Sequence, residues 1–110
     1  MDNKAWAKEV AKKIKEKELA VAKRNVGKVP YTAENGVFND CSGKEIGWWT
    51  NGFWGGMMWQ LYQATKEPVY KESAEELEKK LDAALMNYHV MDHDSGFRWL
   101  PTAVANYRQF

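Results

Sequence analysis

WWTNGFWGGMMWQLYQAT, residues 48–65, decides how this chain folds. Phe53, Trp54, Met57, Met58, Leu61 and Ala64 spread apolar character over more than half of a helical circumference, so the segment reads as a helix. Thr50 or Asn51 stands where a cap belongs, and the pattern runs to about Thr65. Gly55 and Gly56 each lower intrinsic helix propensity by roughly 1 kcal/mol. A helix both apolar and glycine-rich is expected to be an inner one, with close neighbours on several sides.

Upstream, Asn3–Asn25 reads as a long helix. Trp6, Val10, Ile14 and Val21 or Ala22 form a stripe among lysines and glutamates, and Gly27 and Pro30 stop it. Residues 31–47, YTAENGVFNDCSGKEIG, have no sustained period and carry turn signals at Asn35-Gly36 and Ser42-Gly43. This is a loop or short extended excursion, long enough to suggest a function. Downstream, Ser73 and Glu76 form a capping box, followed by Leu77, Leu81, Ala84, Leu85 and Tyr88 on one face. The Glu and Lys residues opposite mark an outer helix. Residues 92–99 read as a loop with Gly96 permitting a tight turn. Pro101 suits the first turn of a fourth helix containing Val104, Ala105 and Tyr107. One all-α domain spanning 1–110 is expected, with about three and a half helices alternating inner and outer. That alternation suits an incomplete helical ring better than a closed four-helix bundle.

The totals narrow the functions. Sixteen basic and fifteen acidic residues leave a net charge of +1, which argues against nucleic acid as a partner. Basic residues crowd into the first 28 positions, but glutamates interrupt them, and a solvated helix face explains the pattern as well as a basic arm would. No apolar run approaches the ~20 residues that span a bilayer, so no membrane partner is expected. The N-terminus has no apolar secretory stretch, and the single cysteine, Cys41, excludes an internal disulfide framework. A cytoplasmic protein is the simplest expectation. Six tryptophans, five tyrosines and four phenylalanines are many for 110 residues. Rings that a small helical piece has no interior to hide either line a concave site or meet protein outside the chain, a homo-oligomer partner included.

Chemistry concentrates in NYHVMDHDSGFRW, residues 87–99. A carboxyl near Phe97 and Trp99, partly desolvated, holds its proton more readily, as a general acid must. Asp94 is the candidate; the competing reading has Asp92 or Asp94 accepting backbone N–H bonds in an Asx turn. His93 has two readings as well: orienting a ligand oxygen, or bonding a carbonyl. His89 and His93 have the i, i+4 spacing of helical zinc ligands, but lack the glutamate of a metalloprotease helix, so neither metal nor cofactor is expected. Trp48, Trp49, Asn51, Phe53 and Trp54 make a second cluster. Rings with amide and indole donors suit a sugar, whose C–H face packs on an aromatic surface while hydroxyls take the polar groups. Phe53 and Trp54 fit core packing at least as well. Arg98 is a candidate, by proximity alone, for reading a substrate carboxylate.

In order along the chain, WWTNGFWGGMMWQLYQAT, YKESAEELEKKL (residues 70–81) and DHDSGF (residues 92–97) resemble the N-terminal part of the unsaturated glucuronyl hydrolases, glycoside hydrolase family 88. The resemblance implies an (α/α)6 barrel, of which residues 1–110 are the N-terminal fragment of a single catalytic domain. It further implies an enzyme that removes a 4,5-unsaturated glucuronic acid from the non-reducing end of lyase-generated oligosaccharides, by hydrating the vinyl ether. Asp94 matches one of two essential aspartates, His93 a substrate-side histidine, and residues 48–51, with Trp48, Trp49 and Asn51, a wall of the cleft. The second aspartate belongs downstream of Phe110, so these residues alone are expected to be inactive. Two other readings stand beside this one: an unsaturated rhamnogalacturonyl hydrolase, and a non-catalytic helical oligomerisation or binding module.

Overall fold

The first helix, α1, runs over Asn3–Asn25, with the boundaries its sequence pattern gives. The Asp2 carboxylate caps it by accepting the Ala5 N–H at 2.7 Å. Lys23 and Arg24 lie in the last turn, and Gly27 turns the chain away at φ 88°. A computed structural model describes residues 2–87 and 91–109. A two-residue hairpin follows, β1 (Ala33–Glu34) against β2 (Val37–Phe38). Asn35 and Gly36, both at positive φ, make its turn.

A 3-10 turn at Trp49–Gly52 leads into α2 (Phe53–Thr65). Lys66 in the left-handed region closes α2, its N–H donating to the Tyr62 carbonyl at 2.8 Å. Then α3 covers Pro68–Met86. It starts five residues ahead of the expected capping box. Ser73 is buried within the helix, and Glu76 pairs with Lys79 at 2.7 Å instead of reaching back. Pro68 fits the first turn, and the earlier start buries Tyr70 in the core. Tyr88, expected on the same stripe, lies outside the described residues.

The expected 92–99 loop is partly helix. After a turn at Asp92, α4 occupies Ser95–Trp99, widens to a π turn over Leu100–Val104 and continues as α5 (Ala105–Gln109). Gly96 therefore sits in a helix, and Pro101 is in the middle of a helical run rather than at its head. Proline has no N–H to offer the carbonyl four residues back, and the ladder widens there. The Thr102 hydroxyl takes up the Arg98 carbonyl at 2.6 Å.

Helices α2 and α3 form the central hairpin. The glycines of α2 have the close neighbours their sequence implied: a Cβ on Gly55 would lie 2.5 Å from Leu77 and 2.8 Å from Thr102, and one on Gly56 would lie 2.8 Å from Pro101. One core cluster joins Val21 and Ala22 of α1 to Trp54, Met58, Trp59, Tyr70 and Ala74; a second joins Val29, Cys41 and Ile46 to Leu77, Leu81 and Ala84. Trp6 and Ile14, expected in the buried stripe of α1, are exposed. Ile14 nonetheless borders an open hollow with Met57, Gln60, Leu61 and Ala64 of α2, and Trp6 lies about two turns further toward the N-terminus. The arrangement is mostly helical, with one small sheet, and is consistent with part of a helical barrel.

Candidate active site

The wall and the turn meet through aromatic edges. Trp48 and Trp49 keep 42% and 39% of their surface exposed, at the entrance to α2. Tyr31 stands edge-on to Trp48 at 5.4 Å between ring centroids, and Trp48 and Trp49 are 6.4 Å apart. Trp49 in turn contacts Phe53 at 5.8 Å and Phe97 at 5.7 Å. Five rings from four segments thus form one half-exposed row, and Phe97 ties it to the helix that Asp94 begins. Trp54 is buried in the core, while Phe53, which fitted the core equally well from sequence, belongs to the row. Tyr31 and Phe97 are the members that sequence spacing did not select; only their ring chemistry marked them.

The two aspartates of the turn divide their tasks. The Asp92 carboxylate accepts the Asp94 N–H at 2.9 Å, and the Ser95 hydroxyl donates to the Asp92 carbonyl at 2.8 Å. Asp92 is therefore the Asx-turn residue. Asp94 occupies the cap position of α4 without using its side chain as a cap. Its carboxylate lies 3.4 Å from His93 Nε2, with 29% of the side chain exposed against 89% for His93. A carboxylate so placed is half-sheltered and still open to an incoming group.

Asn51 sits beneath the wall rather than in it. It is fully buried, and its Nδ2 donates to the carbonyls of Glu45 at 2.7 Å and Ile46 at 3.0 Å. The side chain braces the loop that delivers Trp48, so direct contact with a ligand does not fit its burial. Arg98, a candidate for reading a substrate carboxylate by proximity alone, is likewise fully buried. Its guanidinium donates to the Gly47 carbonyl, to Asp92 Oδ1 at 3.3 Å and to Ser95 Oγ at 3.0 Å. Burial on this scale depends on tertiary packing and left no signal in the local sequence. Gly52 brings the segments together from below: a Cβ there would lie 2.5 Å from the carbonyl oxygens of both Phe97 and Arg98. Beside this junction is a hollow of about 360 Å³ lined by Lys44, Glu45, Gly47, Trp48, Met91 and Asp92.

The remaining chemistry is structural. Asp40 accepts the N–H groups of Val29 and Ser42, each at 3.0 Å. Burial alone would raise its carboxyl, but these bonds and the Lys80 charge hold it below the ordinary 3.8. Burial pushes the Cys41 thiol above its usual 9.0, away from the reactive thiolate. Among the described residues no three His, Cys, Asp or Glu side chains gather to hold a metal ion; His89 lies outside them. Among the same residues no helix is long and apolar enough to cross a membrane.

Two curated proteins are similar to this chain. The unsaturated chondroitin disaccharide hydrolase of Streptococcus pneumoniae (strain ATCC BAA-255 / R6) is 33% identical over 61 residues, covering 54% of this chain and 15% of that protein. The protein of the same name from Streptococcus agalactiae serotype III (strain NEM316) is 34% identical over 61 residues, with the same shares covered. The match therefore spans about a seventh of the length of these relatives, and it marks a distant relationship to unsaturated-sugar hydrolases. No family model matches the chain. No solved structure matches it either.

Proposed function

We propose that residues 1–110 form the N-terminal part of an (α/α)6-barrel glycoside hydrolase, in which they supply one carboxylate and one aromatic wall. The enzyme removes a 4,5-unsaturated glucuronic acid from the non-reducing end of an oligosaccharide left by a polysaccharide lyase. The observation that carries this reading is the division of tasks in the turn. Asp92 serves the backbone, which leaves the Asp94 carboxylate on His93, at the head of a helix whose Phe97 rests on Trp49.

The chemistry follows from the enol ether. Its ring oxygen makes C4 basic; an acid delivers a proton there, and positive charge develops at C5 beside that oxygen. An anionic side chain stabilises the charge, and this is the role we give Asp94. The acid itself is the second aspartate that the family resemblance places beyond Phe110. Water adds to C5 and loses its proton to the conjugate base. The hemiketal opens by breaking the bond from C5 to the ring oxygen, and the hydroxyl left on C1 expels the next sugar as an aldehyde forms. Trp48 and Trp49 pack on the sugar face, and His93 addresses a substrate oxygen. Asn51 holds the Trp48 loop in place. A cytoplasmic location suits Cys41, a buried free thiol.

The test uses these residues with whatever sequence flanks them in the gene. Incubated with the unsaturated disaccharide from a chondroitin digest, the protein removes the enol-ether absorbance. Asp94→Asn abolishes that loss with circular dichroism unchanged, and turnover retained in the variant removes Asp94 from the mechanism. One observation favours a second reading: five half-exposed rings in a row also suit a binding or oligomerisation surface without catalysis.

A further inference from the structure

We propose that Arg98 is the positioning residue of this site, setting the gap between the Asp94 turn and the Trp48–Trp49 wall and thereby the ligand that fits between them. The inference rests on the carbohydrate reading for its ligand, but not for its geometry. A guanidinium holds its donors in one rigid plane, so acceptors bonded to it are fixed relative to one another. At one edge of that plane is the carbonyl of Gly47, the residue before Trp48. At the other are Asp92 Oδ1 at 3.3 Å and Ser95 Oγ at 3.0 Å. That same Oδ1 receives the Asp94 N–H at 2.9 Å. One plane therefore spans from the residue before the wall to the group holding the candidate carboxylate's backbone.

Arg98 has no exposed surface and does not touch a ligand. It acts through others: its face packs 5.2 Å from the Trp99 ring, and the residue before it, Phe97, stands against Trp49. A lysine carries the same charge but presents a point, not a fork, and it cannot hold Gly47, Asp92 and Ser95 at once. The charge is thus insufficient and the shape is what matters.

Two variants test this, each made in these residues together with whatever sequence flanks them in the gene: Arg98→Lys, and the milder Asp92→Asn, which keeps the acceptor for Asp94 but removes the charge facing Arg98. The first readout needs no ligand: NMR cross-peaks between Trp49 and Phe97, with Trp59 to Tyr62 as the internal control for a folded core. The second is tryptophan quenching on titration with the unsaturated chondroitin disaccharide. In Arg98→Lys the Trp49–Phe97 cross-peaks weaken while the control pair persists, and affinity falls roughly tenfold or more; Asp92→Asn shows the same pattern in smaller degree. If Arg98→Lys loses the control pair as well, Asp92→Asn decides. Cross-peaks and affinity unchanged in the folded variants overturn the proposal. Native protein that ignores the disaccharide counts against the proposed function only, and the cross-peaks still decide the role of Arg98.

Discussion

Replacing Gly52 by alanine inserts one methyl group where the entrance to α2 meets α4. The new Cβ lies 2.5 Å from the carbonyl oxygens of Phe97 and Arg98 and 2.7 Å from the Arg98 Cα. Ordinary carbon–oxygen approach stops near 3.3 Å, so both oxygens are about 0.8 Å too close. All three obstacles are backbone, and no side-chain rotation relieves them. Overpacking costs typically 1–3 kcal/mol, and a backbone obstacle belongs at the top of that range, about 3 kcal/mol. Alanine returns up to about 1 kcal/mol by restricting the unfolded chain. The net expectation is a loss of roughly 2 kcal/mol, or a melting temperature lower by about 10 °C. Gly43→Ala is the control, since it meets nothing within 4 Å and is not at positive φ; its expected change is neutral to slightly stabilising. Urea unfolding of both variants measures the difference, and near-UV circular dichroism reports whether Phe97 has moved off Trp49. A Gly52→Ala protein as stable as the native one refutes the close packing of these segments.

Glu78 is buried and accepts the Trp59 indole N–H at 2.7 Å and the Asn106 amide at 2.9 Å. Glu78→Met removes both acceptors and is expected to lower unfolding free energy by about 2–3 kcal/mol in urea titrations. The lowered Asp40 carboxyl contributes stability that is full above the ordinary 3.8 and is lost as pH falls through its depressed folded value. Asp40→Asn should therefore flatten the acid limb of a melting-temperature profile below pH 3.8 and leave its shape near neutrality alone. Sedimentation of the 110-residue chain should reveal self-association that weakens in a Trp48→Ser, Trp49→Ser double variant; a monomer at high concentration speaks against the exposed row as a sticky surface.

The parts of the fold that were legible are those where one local signal stands unopposed. Gly27 and Pro30 end α1, and no competing pattern crosses them. Asn35-Gly36 is a pair suited to a tight hairpin turn, and both residues adopt the positive φ that such a turn needs. The apolar breadth and twin glycines of α2 announced close neighbours, and Leu77, Thr102 and Pro101 are those neighbours. Where two signals competed, the weaker won on paper. Ser73 and Glu76 have capping-box spacing, but Pro68 five residues earlier also begins a helix, and that start also buries Tyr70. Pro101 resembles a helix start because most prolines within helices break them; here a π turn absorbs it.

The site divides along the same line. Exposure of Trp48 and Trp49 was legible because too many rings crowd a small interior. The Asx turn of Asp92 was one of the two readings its sequence offered, but the roles of Asn51 and Arg98 were not legible, because each depends on a partner outside its own turn. Asn51 has the composition of a sugar-binding amide, yet its donors are used by Glu45 and Ile46. Arg98 has the charge of an anion reader, yet burial turns that charge inward onto Gly47, Asp92 and Ser95. A buried guanidinium is tolerated only where several acceptors repay its desolvation, and such acceptors are found where loops converge. Arg98, a candidate reader of a substrate carboxylate by proximity alone, is bonded instead to the loops around it. Asp94 is distinguished by the opposite property: in a turn whose other polar groups are bound to the backbone or to Arg98, its carboxylate faces a histidine that is almost wholly exposed.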